Sequence, residues 1–450
     1  MRRVTQTAAV LLWAVLMAFG AASTVHAQAA TTSEVSGRVT GDGGTPVAGA
    51  AVVATNASTG AVSRTVTQSD GRYTITGLQP GTYTLAVSRL GLQTSTRSGV
   101  TLNLGQAAQN DFVLTTGAVA LGGITAVAER NPIISSGRTG TSTVVSDSAL
   151  RRAPTLTRDL ADFTRLVPQL AVTNTQTGAV SAGGRNNRYN NLQIDGTPNN
   201  DLFGLSGSGT PAGQGGGKAI TLEAIQEVQV VLAPFDVRQS GFTGASVNAI
   251  TRSGTNRFQG SISGFQRHEG LTGRFVTFQD TLSRDLREFN QGSYAGAFGG
   301  PIVRNKAFFF LAGEIGRRSE GGSYVAGDNS INGVTVAQAQ QLADRLQTAY
   351  GYDAGTTGPK TYRQPNTNIF ARLDFNLGAN TRLTVRNNYV DSRRDNIGRN
   401  STTTYPLGNA EYVQYAKTNS LVAQLNSSFG RFFNELRVGY LTERDHRGTT

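Results

Sequence analysis

From Arg257 onward the side chains alternate in character with a period of two. The clearest stretch sets Ile369, Ala371, Leu373, Phe375 and Leu377 against Asn368, Arg372, Asp374 and Asn376. Leu421, Ala423 and Leu425 repeat the pattern, as do Leu436, Val438 and Tyr440. Seven strands are expected, at about 257–267, 288–299, 306–318, 367–377, 381–391, 418–429 and 433–444. Each has one apolar and one polar face.

The connections narrow the fold further. Those after the second, fourth and sixth strands are short: Gly300 to Asn305, Gly378 to Asn380 and Gly430 to Phe432. Those after the first, third and fifth are long: His268 to Arg287, Ser319 to Asn366 and Ser392 to Lys417. Strict alternation of short turns and long loops, with apolar faces outward, is how outer-membrane β-barrels are built. A soluble sandwich has no reason for it. The long loop holding Val336, Leu342 and Leu346 has the spacing of a short amphipathic helix. Past the N-terminus no apolar run reaches the length of a membrane helix, so any spanning falls to strands.

The N-terminus reads as an export signal over residues 1–27. Arg2 and Arg3 supply charge, Ala8 to Ala22 is apolar with Leu11, Leu12, Trp13 and Leu16, and Val25-His26-Ala27 precedes cleavage before Gln28. The net charge of +12 comes from scattered arginines rather than a stripe interleaved with aromatics, so nucleic acid is not an expected partner. Anionic lipid head groups and lipopolysaccharide are expected partners that account for part of this charge, with solvated loop charge as the alternative. With 55 Gly and no Cys in 450 residues, the chain has neither a disulfide framework nor thiolate metal sites.

Residues 34–115 read as about seven short strands. Val35, Gly37 and Val39 alternate, Ala51 to Ala54 and Val62 to Val66 follow, and Tyr73-Thr74-Ile75 and Tyr83 to Val87 are set off by Ser69-Asp70-Gly71 and Leu78-Gln79-Pro80-Gly81 turns. Strands near Gln93 to Val100 and Ala107 to Leu114 complete a small β-sandwich. The words SGRVTGDGGTPVAGAAVVAT, SDGRYTITGLQPGTYTLAV and NDFVL resemble the carboxypeptidase regulatory-like domain, a transthyretin-like sandwich. Peptidase activity is not implied: the only histidines are His26, His268 and His446, too few and too scattered for a zinc site.

Residues 131–254 read as an α+β domain. Ala149 to Leu166 has helical spacing, with Thr157 as N-cap and Pro168 as stop, and Leu170 to Gln176 and Asn191 to Ile194 are strands. Leu222 to Ile225 is one helical turn entering a half-buried strand marked by Val228, Val230 and Leu232, which Pro234 ends. Val247 to Thr251 is a further strand, and Phe203 to Lys218 is Gly-rich and expected to be mobile.

The segments EAIQEVQV, FDVRQSGFTGASVNAITRSGTN and FQGSISGF, in that order between Glu223 and Phe265, resemble the end of the plug and the start of the barrel in TonB-dependent outer-membrane receptors, especially the Oar-like group. Gly183-Gly184-Arg185-Asn186-Asn187 and Asp195-Gly196-Thr197-Pro198-Asn199-Asn200 resemble two further words of that plug. The fold class expected is thus mainly β: signal peptide, sandwich (34–115), linker (116–130), plug (131–254) and the first part of a transmembrane antiparallel barrel (255–450). Seven strands use about 190 residues, and a plugged 22-strand barrel would need about 600, so the chain reads as the N-terminal portion of a longer protein.

The resemblance implies ligand transport across the outer membrane of a Gram-negative bacterium, driven by the proton gradient through TonB with ExbB and ExbD. The sandwich and the TonB contact would then lie in the periplasm. Gly122, Gly123, Ile124, Thr125, Ala126, Val127 and Ala128 are the expected TonB box, which can add as a strand to a sheet edge; a plain first plug strand is the competing reading. Arg185, Asn186, Asn187, Arg188, Tyr189, Asp195, Asn199 and Asn200 are the expected ligand-contacting plug residues, with wall contact as the alternative. No cofactor, metal or catalytic residue is expected. Gly215-Gly216-Gly217-Lys218 lacks the leading Gly and the final Ser/Thr of a phosphate loop, no second His follows His268-Glu269, and Asp195, Asn199 and Asp201 fit Asx-turns better than Ca²⁺. The rival function is a passive outer-membrane surface or adhesion protein that binds through its sandwich.

Overall fold

The period-two stretch folds as an antiparallel meander, and the two domains before it pack inside and beneath the curve. A computed structural model describes residues 31–116, 141–153, 155, 158–164, 166–174, 178–232, 241–272, 289–321, 334–358, 361–396, 407–429 and 432–449. The expected signal peptide, the TonB box and Thr157 lie outside the described residues.

The sandwich holds β1 (Ser33–Thr40), β2 (Ala51–Asn56), β3 (Val62–Val66), β4 (Arg72–Leu78), β5 (Gly81–Ser88), β6 (Ser95–Leu102), β7 (Ala107–Gln109) and β8 (Phe112–Val113). One sheet runs β4-β1-β7 with β8 also on β1, and the other β3-β2-β5-β6. Alternate residues of both sheets, among them Val35, Val39, Val52, Tyr73, Ile75, Leu85 and Val87, close one core. The buried Tyr73 hydroxyl donates to the Asn110 carbonyl at 2.6 Å, so the one polar atom it carries inward is satisfied.

The plug contains β9 (Thr141–Val145), α1 (Asp147–Arg152), α2 (Leu160–Thr164), β10 (Leu170–Asn174), β11 (Ala179–Ala182), β12 (Asn191–Ile194), β13 (Thr197–Pro198), β14 (Ile225–Leu232) and β15 (Ala245–Thr251). Its main sheet runs β13-β12-β15-β14-β9, with β12 and β15 parallel and the other neighbours antiparallel. The helix expected from Ala149 to Leu166 is two short helices. Ala153 precedes Pro154 and is extended (φ −65°, ψ 134°), as a residue before proline prefers, and the first helix ends there. The strand expected to be half-buried, β14, is covered on both faces: Val228 and Val230 sit in the plug core, while Glu227 and Gln229 on the other face are also buried.

The meander holds β16 (Gln259–His268), β17 (Phe289–Val303), β18 (Ala307–Gly321), β19 (Thr361–Arg363), β20 (Asn366–Asn376), β21 (Thr381–Asn396), β22 (Tyr412–Phe429) and β23 (Phe432–Thr449). Its order is β16-β17-β18-β20-β21-β22-β23, every neighbour antiparallel, with β19 a short extra pairing on β18. The strands run further toward the long loops than the alternation of apolar residues does, because hairpin pairing continues where the outer face has become polar: β22 and β23 are paired from Phe429↔Phe432 out to Tyr412↔Thr449. In the third connection Val336–Tyr350 forms the expected helix, α3, opened by a Thr335–Gln338 capping box and closed at Gly351.

The outer face carries a continuous apolar belt, with Ile262, Tyr294, Phe298, Leu311, Ile315, Ile369, Leu373, Leu421, Leu436, Val438 and Tyr440 all exposed. Phe309 joins Phe258 and Phe298 on this face, whereas Phe308 and Phe310 point inward and are buried, Phe310 meeting Phe370 against the plug core. In water such a belt would be a liability; against lipid it is the stable arrangement. Leu373→Arg places a charge in the belt and should destabilise the membrane-inserted protein by about 2–4 kcal/mol. Denaturant titration in bilayers, read by heat-modifiable migration, checks this; an unchanged midpoint would mean the outer face does not meet lipid.

Candidate functional site: the two ends of the plug

The plug sheet spans the lumen-facing side of the meander, so its two ends meet different surroundings. At the short-turn end, β12 and β13 are joined by Asp195-Gly196, both with positive φ (47° and 69°), a two-residue hairpin turn of the kind Asp-Gly favours. The turn aims the Asp195 carboxylate at the barrel wall. It accepts from the Thr251 amide and hydroxyl, each at 2.8 Å, and lies 2.9 Å from the Arg386 guanidinium on β21. Arg386 also donates to the Ile194 carbonyl at 2.6 Å. Beside it, Arg372 on β20 holds Asp374 with two bonds of 2.9 Å and reaches the Thr251 hydroxyl at 2.7 Å. Arg437 on β23 donates to the Gly196 carbonyl at 2.8 Å and pairs with Glu435.

Asp195, Thr251, Arg372, Asp374 and Arg386 are shielded from water. Each charge is therefore held only by its partner, and removing one partner leaves the other stranded. The arrangement clamps the plug to the wall, and Asp195, Thr251, Arg372 and Arg386 also line a small cavity there. Within the plug, Arg252 pairs with Asp147 and donates to the Ile225 carbonyl at 2.9 Å; burial pulls its pKa down and Asp147 opposes that.

The long-loop end is open. A cleft there is floored by Gly213, Gly216, Gly217 and Lys218 and walled by barrel residues including Arg317, Arg318, Gln364 and Arg394. Lys218, set aside as a phosphate-loop lysine, pairs with Glu314, which also accepts from Ser293 at 2.7 Å. The Gly-rich stretch expected to be mobile is tied to the wall: Gln364 donates to Gly216, Asn368 to Lys218, Asn388 to Ala219 and Ser392 to Ala212, at 2.9–3.2 Å. Those donors lie more than a hundred residues downstream, so the stretch itself carries no sign of them.

The eight plug residues singled out in the sequence separate. Arg185, Asn186, Asn187, Arg188 and Tyr189 form an exposed turn at the long-loop end, where Asn186 caps Arg188 and Asn187 donates to the Gly207 carbonyl at 2.6 Å, beside the cleft. Asp195 is at the opposite end. Asn199 is buried with its amide on the Leu192 carbonyl, and Asn200 bonds Leu192 and Asn191, so both brace the β12–β13 hairpin. Asp201 accepts from the Phe203 amide at 2.9 Å, the expected Asx-turn.

Sequence reasoning missed the face of β14 that meets the sandwich. The Glu227 carboxylate accepts from the Leu104 amide at 3.1 Å, and the Gln229 side-chain amide donates to the Leu104 carbonyl at 3.3 Å. Burial pushes the Glu227 pKa up to about 7, against the pull of the Leu104 N–H. Two polar residues at i and i+2 were the only sequence signal, and they look the same on a solvated face.

This geometry gives the comparisons with known proteins their meaning. Residues 34–115 match the family model of the carboxypeptidase regulatory-like domain, and residues 250–369 that of the outer membrane beta barrel domain. The TonB-dependent transporter Oar of Myxococcus xanthus is 27% identical over 283 residues, covering 59% of this chain and 25% of Oar. Over the matched residues this chain is similar to that transporter. The chain spans about a quarter of that relative's length. Among solved structures it is similar to the outer membrane transporter YddB from Escherichia coli (13% identity, TM-score 0.48, 67% of this chain and 38% of that one). It is also similar to the siderophore receptor PirA from Pseudomonas aeruginosa (12% identity, TM-score 0.42, 68% and 41%). The matched proteins are transporters and receptors, not enzymes.

Asp195→Ala should loosen the plug by about 3–5 kcal/mol, since Arg386 and its neighbours lose their counter-charge. Asp195→Ala combined with Arg386→Met should recover most of that. The measure is the urea midpoint of plug release, followed by a dye on a plug cysteine; equal midpoints for the single and double variants would remove the clamp from the account.

Proposed function

We propose that the protein is a TonB-dependent outer-membrane receptor that carries a ligand across the outer membrane using the proton gradient, relayed by TonB with ExbB and ExbD. The observation that carries this reading is the plug fastened across the inner wall by buried ion pairs. A barrel blocked by such a clamp opens only rarely by thermal motion, so work supplied to the plug would speed passage. Similarity to Oar supports the same reading. In this arrangement the short turns and the sandwich face the periplasm and the long loops the medium. The ligand meets the open end of the plug, where Arg317, Arg318 and Arg394 line the cleft and Arg185 and Arg188 are exposed nearby, a setting suited to acidic groups.

Orientation is checked with single cysteines in the full-length protein. Gln341→Cys, on the exposed side of α3, should react with a membrane-impermeant thiol reagent on whole cells, and Ala379→Cys, in a short turn, should not. Reversed labelling would overturn the orientation.

Energy coupling is assigned to residues 122–128. A segment that adds as a strand needs its backbone N–H groups, and proline removes the donor and fixes φ. Ile124→Pro or Val127→Pro should abolish uptake while surface binding and barrel assembly persist, and Ile124→Ala should be mild. If both proline variants transport like the parent, coupling lies elsewhere; if collapsing the proton gradient is also without effect, the protein is passive.

A further inference from the structure

The sandwich is not a pendant domain. Its Ser58 carbonyl accepts from Asn256, between plug and barrel, at 2.9 Å, and its Arg64 amide donates to Asn380 in a short turn at 3.2 Å. Gly60 and Gly77, both with positive φ, are pressed by the barrel: a Cβ would meet the Asn305 side chain at 2.1 Å and the Phe433 ring at 2.2 Å. Thr31, just before β1, lies among Gln424, Glu435 and Arg437 on the inner wall. These contacts seat the sandwich across the short-turn opening, under the plug.

At the centre of this seat both polar groups of one peptide residue, Leu104, are gripped by the side-chain pair of β14. Glu227 and Gln229 are 6% and 8% exposed. Among the described residues, the Leu104 amide is the hydrogen-bond donor to Glu227. The charged groups on the packed elements are committed elsewhere or share its sign. Arg252 is spent on Asp147 and the Ile225 carbonyl, and Asp195 on Arg386 and Thr251. Glu34, on β1 with its amide on the Gln106 carbonyl, is an acid whose pKa burial also raises.

We propose that the sandwich is a proton-controlled cap on the plug: the Leu104 peptide seats on the Glu227–Gln229 pair, protonation of Glu227 holds it there, and loss of that proton releases it. The inference rests on the transport reading only for its consequence, that a seated cap obstructs the exit. A carboxylate uncovered by undocking returns toward its ordinary value of 4.5, whereas docked it titrates near 7. Docking therefore takes up a proton. Its extra stability is complete below the undocked value and is lost as the pH rises through 7. The docking equilibrium should weaken about tenfold between pH 6 and pH 8.

The test uses the full-length protein in outer-membrane vesicles, spin-labelled at Leu90→Cys in an exposed sandwich turn and Lys306→Cys in a short barrel turn. Pulsed dipolar spectroscopy reads the ratio of docked to undocked distances. That ratio should fall about tenfold from pH 6 to pH 8 in the parent, and Glu227→Gln should stay docked at both. Gln229→Ala loses one bond of the grip and brings the equilibrium into a measurable range; it should lower the ratio at every pH with the same slope. A pH-independent ratio in both the parent and the Gln229→Ala background, or an unchanged slope in Glu227→Gln, overturns the proposal. The readout is a distance, so it stands or falls independently of whether any ligand is transported.

Discussion

The structure depends on how the charged inner wall is compensated. β20, β21 and β23 turn Arg372, Asp374, Arg386 and Arg437 away from lipid, which puts guanidinium groups into a space with little water. Buried charges of this kind are costly unless each finds a partner and a full set of hydrogen bonds. The wall supplies Asp374 and Glu435, and the plug adds one carboxylate, one threonine and two backbone carbonyls, all from the ends of β12 and β15. The parallel pairing of those two strands brings Asp195 and Thr251 to the same end of the sheet. Plug topology and barrel charge are thus one problem with one solution.

Much of this was legible from the chain. A period of two with alternating short and long connections identifies strands, faces and rims, because lipid on one side and a largely polar interior on the other favour the alternation. Turn chemistry was equally readable: the Ser69-Asp70-Gly71 and Leu78-Gln79-Pro80-Gly81 signals set β4 off from β3 and β5. The misreadings share a cause. Ala149 to Leu166 keeps helical spacing, but Pro154 acts on the residue before it and splits the run. The Gly-rich stretch and β14 were judged by their own composition. What fixes the first is a set of amide and hydroxyl side chains far downstream, and what buries the second is a domain far upstream. Intrinsic propensity carries no record of such partners.

The same limit governs the site residues. Arg185 to Tyr189 and Asp195 to Asn200 are similar in chemistry, polar and flanked by glycine, yet they sit at opposite ends of the plug or inside it. Their separation follows from β12, whose four residues carry the chain from one end to the other. Reading that strand as a span, not merely as a strand, would have divided the two groups.

The order of strands in the plug sheet has a mechanical consequence. β9 lies at the sheet edge, and its first residue, Thr141, pairs with Leu232 at the long-loop end, while Val145 pairs with Val228 nearer the short turns. Tension entering at Thr141 from the short-turn side would fold the strand back on itself and break its ladder one rung at a time. Pulled in this direction β9 unzips, whereas a load along its axis would shear five rungs together. On the other side of β14, β15 is joined to β16 by a connector of only seven residues, which moors that part of the sheet to the wall.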